Sequence, residues 1–553
     1  MPKKYEMRVI HTYDEAYQLG SRYMDHIGSK GTVPTTPYSA AFPQQLANPI
    51  WEQSMDALRN TLKYIMEFLH HQCYMLCVND NNILMCKLDS QTTAPIFKDI
   101  LEKSIAPDSL YQNSQITPAQ SKTIQDSVSK NIDKMRIMQC VVKPFSTNPD
   151  KPVSNEYLEL LKGLSLPNGV FILNLTDAVI LRDDGRMPFP MVMGKTDLGE
   201  YKFDKHLPIF SISGQKGYAD IPIPNYDDVM FVLKTPKKYG QQTGYVQDKT
   251  KRTNPDPTYK TNWDDKLLRK AVFRGGTTGC GYTDETNMRI KLVKMHSALI
   301  DAKFTSREGS DTIDSKSIRF DPKYGIGSMN TNISADGNFL SMAEQSNYKY
   351  IIHVDGNVNA YRLLATMLTG SLILRVVSPY TSWVDHLIRH REHYVPVKQD
   401  LSDLTQVIQW CGENDDKCKQ MAKAGMDFAR SMLNKHYIQT YIQQMMWTLS
   451  DNVSPKARTT KKIRVIKNKT SKRKPATTDD MKTPKDDVKK AKEDAKKAKE
   501  DTKKAKDDAK KAKEDAKKVK EDATEYIDMP TGKKRCPAGY TSVMRDGVKV
   551  CKK

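Results

Sequence analysis

Four apolar runs stand out in this chain, three of which lead into a polar or glycine-rich step. They are "GVFILNLTDAV" (169–179), "KAVFRGG" (270–276), "YKYIIHVDGN" (348–357) and "SLILRVV" (371–377). Continuous apolar runs of this length suit strands buried on both faces. Stretches of helical period stand between and after them: "NMRIKLVKMHSAL" (287–299), "AYRLLATMLTG" (360–370), "DLSDLTQVIQWCGEN" (400–414) and a single long helix over 416–449. Strands alternating with helices fold into parallel sheets covered on both faces, and ligands of such sheets sit at the carboxyl ends of the strands. Asp177, the loop after Arg274 and the "DGN" at Asp355–Asn357 all lie just past such a strand.

Upstream, "PIWEQSMDALRNTLKYIMEFLHHQ" reads as a helix, and "CYMLCVND" and "NILMCKLDS" as a hairpin turning at "NDNN". "MRIMQCVVK" reads as one strand and "EYLELLKGL" as a short helix. The proline- and glycine-rich stretch running through "LPIFSISGQKGYADIPIPNYDDVMFVL" reads as an irregular connector between two domains.

Charge separates a body from a tail. Of 87 Lys+Arg and 66 Asp+Glu, 34 and 17 lie in residues 456–553, leaving 53 and 49 in residues 1–455. A near-neutral body with a basic appendage argues for a catalytic part plus a tether, and against a nucleic-acid enzyme basic throughout. Residues 455–481 read as a basic flexible linker. Residues 482–525 contain Lys/Glu/Ala heptads with a seam of mostly alanine, a spacer helix that self-associates weakly or meets acidic partners. Residues 526–553 read as a small hairpin module with Cys536 and Cys551 near its ends. The nine cysteines are odd in number and irregularly spaced, and Cys280 stands alone. With no apolar stretch behind the N-terminal lysines and none near the ~18 residues of a membrane span, the expectation is a cytoplasmic chain in a reducing compartment.

The loop "FRGGTTGCGYTDETNMR" (273–289) carries the chemistry. Glycines let backbone approach a ligand, and arginines present planar forks suited to phosphate oxygens. No lysine follows the glycines, so it is not a P-loop, and the spacing is not that of a dinucleotide-binding turn. No Asp-x-Asp follows a clear strand, and His386, His390 and His393 read as solvated. A phosphate or pyrophosphate neutralised by arginines without a metal remains.

"AVFRGGTTG…NMRIKLVKMHS", "YKYIIHVDGNVNAYRLLATMLTGSLIL" and "HYVPVKQDLSDLTQVIQW", preceded by "PIFSISGQKGYADIPIPNYDDV", resemble successive motifs of the family-90 glycosyltransferases over roughly residues 165–445. That family includes protein O-glucosyltransferases and capsule-associated transferases. The resemblance implies an α/β, GT-B-like fold, with two Rossmann-like domains facing across a cleft. Residues 1–145 are then an unplaced N-terminal α+β region. Residues 146–230 complete the acceptor-side domain, and residues 231–450 bind the donor. The resemblance also implies inverting transfer of glucose or xylose from a UDP-sugar to an acceptor hydroxyl, protein or glycan, with no required metal or other cofactor. Asp177 matches the family's base, although Ala178–Val179 stand where the family has Tyr-Pro. Arg274, Gly275, Gly276, Thr277, Arg289 and Arg362 match donor pyrophosphate positions, and Asp355 and Asn357 are donor-side support. The cysteine-proline end resembles short modules closing many giant DNA virus proteins. The competing reading is a degenerate transferase-fold scaffold, or a nucleic-acid binder acting through the basic tail.

Overall fold

A computed structural model describes residues 5–27, 42–144, 154–233, 259, 262–266, 268–305, 318–328, 339–453, 526–528, 541–545 and 548–552. The chain divides into two units, Met1–Lys467 and Asn468–Lys553.

The larger unit is mixed α/β. Its first sheet contains β1 (Tyr5–Ile10), β2 (Cys73–Asn79), β3 (Asn82–Leu88), β6 (Gly169–Asn174), β7 (Ile209–Ser211) and β9 (Ile221–Pro222), in the order β1-β3-β2-β6-β7-β9. The β2–β3 hairpin turns through Asp80 and Asn81, both at positive φ (48° and 64°), as a two-residue hairpin loop requires. β2 pairs antiparallel with β6, Leu76 opposite Phe171, and β6, β7 and β9 run parallel. β7 and β9 come from the stretch expected to be an irregular connector. They are only three and two residues long, too short to show a period, and Pro222 is tolerated because β9 is an edge.

The second sheet is wholly parallel, with β10 (Leu268–Gly275), β11 (Ile300–Phe304), β14 (Tyr348–His353), β15 (Leu372–Val376) and β17 (Val395–Val397) in the order β11-β10-β14-β15-β17. The chain leaves β10 toward β11 on one side, then returns to build β14, β15 and β17 on the other. The carboxyl ends of β10 and β14 therefore flank a topological switch point, where crevices open in sheets of this kind. Ala271, Phe273, Tyr350, Ile352, Leu372 and Leu374 form its core with Cys411, Cys418 and Met421 of the covering helices.

Two small sheets accompany these. β4 (Met135–Met138), β5 (Val141–Pro144), β12 (Ile318–Asp321) and β13 (Gly325–Ser328) form one in the order β13-β12-β5-β4. β8 (Gly214–Gln215) and β16 (Tyr380–Thr381) form the other. The expected single strand over 135–143 is thus two strands, broken at Gln139 (φ 55°) and Cys140 and paired antiparallel. The expected single helix over 416–449 is likewise two, Asp415–Met432 and Lys435–Val453. Between them Asn434 turns its Oδ1 to accept from Tyr437 N (3.2 Å). Cys280 does not stand alone: it is disulfide-bonded to Cys140 across 140 residues of sequence. That bond corrects the expectation of unpaired thiols on which the reducing compartment rested. No helix among the described residues is long and apolar enough to cross a membrane.

In the smaller unit β18 (Tyr526–Asp528), β19 (Thr541–Arg545) and β20 (Val548–Lys552) pair antiparallel in the order β18-β20-β19. The β19–β20 pair is the expected hairpin, and Cys551 lies on β20. The linker, the heptads and Cys536 lie outside the described residues.

Candidate active site

At the end of β10 successive side chains take opposite faces of the strand. The ring of Phe273, fully buried, lies beneath two guanidinium groups, those of Arg289 and Arg362, each 5.7 Å from its centroid. Arg274 goes the other way. Its Nη1 donates to the carbonyl of Asp301 (2.8 Å) and its Nη2 to Asp301 Oδ1 (2.8 Å) on the neighbouring β11. What Arg274 gives the Phe273 side is its backbone carbonyl, which accepts from Arg362 Nη1 at 2.6 Å.

The glycine-rich loop is stitched by its carbonyls. Arg289 donates from Nη1 to Gly276 O (3.0 Å) and Thr278 Oγ1 (2.6 Å). It also donates from Nε to Asp355 O (2.9 Å) and from Nη2 to Val354 O (3.1 Å), joining the loop to the end of β14. Arg319, on β12 and almost fully buried, donates to Thr277 O (2.7 Å) and Gly279 O (3.1 Å). Asn357 Oδ1 accepts from Gly279 N at 3.0 Å. Gly279 and Gly281 are at φ 118° and 79°, and a Cβ on Gly281 would collide with the Thr286 hydroxyl, so only glycine fits there. Asn287 then caps the helix Met288–Lys294, accepting from Arg289 N (3.0 Å) and Ile290 N (3.2 Å), which fixes where Arg289 starts. Within one peptide plane N–H and C=O point oppositely. With the Gly276 carbonyl drawn to Arg289, the Thr277 N–H is turned away from it.

Asp177 lies past β6, in a turn held by Asn174. That residue accepts from Thr176 N (3.2 Å) and donates to Ala178 O (2.8 Å). Asp177 Oδ1 accepts from Tyr361 Oη at 2.6 Å. Burial and the Asp177 carboxylate beside it hold the Tyr361 phenol well above its usual range, so it remains a donor. Tyr361 belongs to the loop after β14, and its own carbonyl accepts from Asn225 Nδ2 (3.2 Å). The next residue is Arg362. Asp177 and Arg362, which approach from different sheets, therefore meet through adjacent residues of one segment. The carboxyl of Asp227, on the helix Tyr226–Leu233, is pushed up to about 6, chiefly by burial, with Arg362 opposing and Asp177 adding to the rise.

The switch point is electropositive. His353, ending β14, is buried and held well below its usual range by that burial and by the guanidinium charges of Arg375, Arg362 and Arg289. It is therefore neutral, and the positive charge there belongs to arginines. Asp355 is pushed up by burial, and its Oδ1 accepts from Ala360 N at 2.8 Å. Asp220 accepts from Ile180 N (3.1 Å), Leu181 N (2.9 Å) and Ser211 Oγ (2.6 Å), a carboxylate that braces the turn after Asp177. Among the described residues no group of three or more His, Cys, Asp or Glu side chains is arranged to hold a metal ion.

The structure thus gathers Gly275, Gly276, Thr277, Arg289, Asp355, Asn357 and Arg362 at one end of the second sheet, with Asp177 facing them through Tyr361. The Arg274 guanidinium lies on the Asp301 side. Tyr361, Arg319, His353 and Asp227 were not singled out from sequence. Tyr361 could have been, as the neighbour of a matched arginine. Arg319, in "SIRFD", carries no sequence signal of its burial.

The chain matches the family described as glycosyl transferase family 90 over residues 182–526. Uncharacterized protein 179R of Invertebrate iridescent virus 6 is 30% identical over 367 residues, covering 58% of this chain and 30% of that protein. Human protein O-glucosyltransferase 3 is 28% identical over 288 residues, covering 52% of this chain and 50% of that protein. The chain thus spans half or less of the length of these two relatives. Protein O-glucosyltransferase 2 of Danio rerio is 24% identical and covers 73% of this chain and 75% of that one. A crystal structure of Anabaena Alr3699/HepE with UDP-glucose overlaps at a TM-score of 0.27 and 9% identity, covering 81% of this chain and 99% of that one, an overlap too slight to carry an argument. The match spans well over half of the sequence, and the glycine-rich loop, the segment after β14 and the sheet that carries both fall within it: the chain belongs to glycosyl transferase family 90.

Proposed function

We propose that the chain is an inverting glycosyltransferase of the GT-B kind, moving glucose or xylose from a UDP-sugar to an acceptor hydroxyl without a required metal. The observation that carries this is the Asn359–Arg362 segment. Tyr361 holds the Asp177 carboxylate, and Arg362 lies against the glycine-rich loop. The relatives named protein O-glucosyltransferase support glucose as the sugar and a protein hydroxyl as the acceptor.

In this reading Asp177 takes the proton of the acceptor hydroxyl as that oxygen bonds to the anomeric carbon. The anomeric C–O bond to UDP breaks on the opposite face, and its electron pair stays on the β-phosphate. One hydrogen bond from Tyr361 fixes the carboxylate, and Oδ2 makes none among the described residues, leaving it for the acceptor. Arg362 and the loop N–H groups at Gly275–Thr277 receive the growing phosphate charge. Preplaced donors stabilise the transition state more than the ground state. A positioned base contributes ~10²–10⁴ in rate.

Asp177→Asn keeps an acceptor for Tyr361 but cannot take the proton. Transfer from a UDP-sugar should fall by about 10²-fold or more, with UDP binding by calorimetry unchanged. Normal transfer by this variant would remove Asp177 from the role of base.

A further inference from the structure

Beside the arginines lies a group of buried polar atoms of the opposite demand. Among the described residues, Asp355 Oδ2, Asn359 Nδ2 and Gln215 Oε1 are buried with no hydrogen-bond partner, and Asn359 is only 5% exposed. They share one side of the site. Asp355 and Asn359 are on the loop between β14 and Tyr361. Gln215 lies on β8 opposite Tyr380 of β16, so their side chains share a face of that ribbon. Ser213, two residues before Gln215, donates from Oγ to Asn359 Oδ1 and brings the loop onto the same face. Asp355 is tied to this ribbon through Ser378, whose side chain hydrogen-bonds to the Asp355 carboxylate and whose Oγ accepts from Tyr380 N at 3.1 Å.

We infer that Asp355, Asn359 and Gln215 form the subsite for the hydroxyl groups of the transferred sugar ring. The inference rests on the donor reading above and deepens it. Two of the three atoms are acceptors, and they need a ligand that donates. Phosphate oxygens only accept, so the diphosphate cannot satisfy them. A sugar hydroxyl donates to one group while accepting from another, which matches two acceptors beside an amide N–H. A buried polar atom left unmade costs ~1–3 kcal/mol, so each is a place where a ligand gains by bonding. The placement fits the reaction as well. Asp355 is two residues past His353, among the arginines. Asn359 is two residues before Tyr361, which holds Asp177. The ring would lie between leaving group and base.

The experiment compares binding of UDP, UDP-glucose and UDP-xylose by calorimetry to wild-type full chain and three variants. Asp355→Asn keeps an acceptor for Ala360 N and replaces the orphaned acceptor by a donor. Asn359→Ala removes the orphaned donor, and Ser213→Ala removes only the link to Asn359 Oδ1. For whichever sugar nucleotide binds wild type, Asp355→Asn and Asn359→Ala should each weaken it by about 10-fold or more, with UDP affinity unchanged within about threefold. Ser213→Ala should weaken the sugar nucleotide less than Asn359→Ala does. Equal loss of UDP and sugar nucleotide, or no loss of either, overturns the subsite. Wild type that binds UDP but neither sugar nucleotide also overturns it and leaves the nucleotide site standing. Wild type that binds none of the three overturns the donor reading itself.

Discussion

Replacing Arg289 by methionine separates two roles for that residue. The sequence places it among the pyrophosphate-binding arginines, whereas the structure directs its guanidinium to Gly276 O, Thr278 Oγ1, Val354 O and Asp355 O. Methionine keeps bulk against Phe273 and removes every donor. Three backbone carbonyls and a hydroxyl then lose their partner, at ~1–3 kcal/mol for each group left buried and unmade. The carbonyls have a second lone pair and the loop can relax, so the net cost should be about 3–5 kcal/mol, similar to breaking a buried ion pair. Because those bonds fasten the loop to β14, the cost falls on loop opening. At 1.36 kcal/mol per decade, hydrogen exchange over Gly276–Gly281 should speed up by about 10²–10⁴-fold. UDP affinity should fall with it, since the Thr277 N–H loses its fixed direction. Arg289→Lys should recover little, because a point ammonium cannot span four acceptors as a fork does. If UDP binding is lost while loop exchange stays at the wild-type rate, the stitching argument is wrong and Arg289 acts on the nucleotide directly.

Further outcomes follow from the same geometry. Tyr361→Phe removes the hydroxyl on Asp177 and should lower kcat with little change in UDP affinity; an unchanged kcat would mean the carboxylate needs no orienting partner. The His71 and His206 imidazoles, held by burial down to about 4 and about 3, stay neutral in the fold. The unfolded chain protonates near 6.5, so the stability intact above that pH is lost as pH falls toward the folded values, by roughly 3 kcal/mol from each histidine at pH 4. Urea titrations from pH 7 to 4 read this, and either imidazole found charged in the folded chain at pH 5.5 contradicts it. Closing a loop of this length by the Cys140–Cys280 bond contributes up to about 5 kcal/mol in the chain-entropy account. Cys140→Ser should lower the denaturation midpoint, and peptide mapping that finds both thiols free contradicts the pairing.

Strands β6, β10, β14 and β15 are legible because most of their residues are buried on both faces and read as apolar runs interrupted by single charged residues. The break at Gln139 is not: glutamine and cysteine are not turn residues, and the non-glycine positive φ at Gln139 belongs to the two-residue turn that pairs Met138 with Val141. β7, β8 and β9 are too short for periodicity. The disulfide joins positions no local pattern relates. At the site, the sequence shows a loop rich in glycine and arginine but not which acceptors each arginine meets. Phe273 and Arg274 must face opposite ways on a strand, yet only the fold decides that the Phe273 face is the one beneath Arg289 and Arg362.

In the proposed function, that choice of face bears on how base and leaving group are kept in register. Asp177 follows a strand of the first sheet and the glycine-rich loop follows one of the second, so their separation could drift with any movement between sheets. It is constrained because Tyr361 and Arg362 are consecutive: the first bonds to the carboxylate and the second to the carbonyl at the head of the glycine-rich loop. Two neighbouring residues differ in position by one peptide unit, about 3.8 Å between Cα atoms. The separation of Asp177 from the head of the glycine-rich loop is therefore limited by one covalent step, two side-chain lengths and two hydrogen bonds. Asn225 and Ala360 N, bonded to Tyr361 O and to Asp355 Oδ1, fix that step at its two ends. A substitution that loosens this segment should thus impair base and donor site together, whereas one confined to Asp177 or to Arg289 separates them.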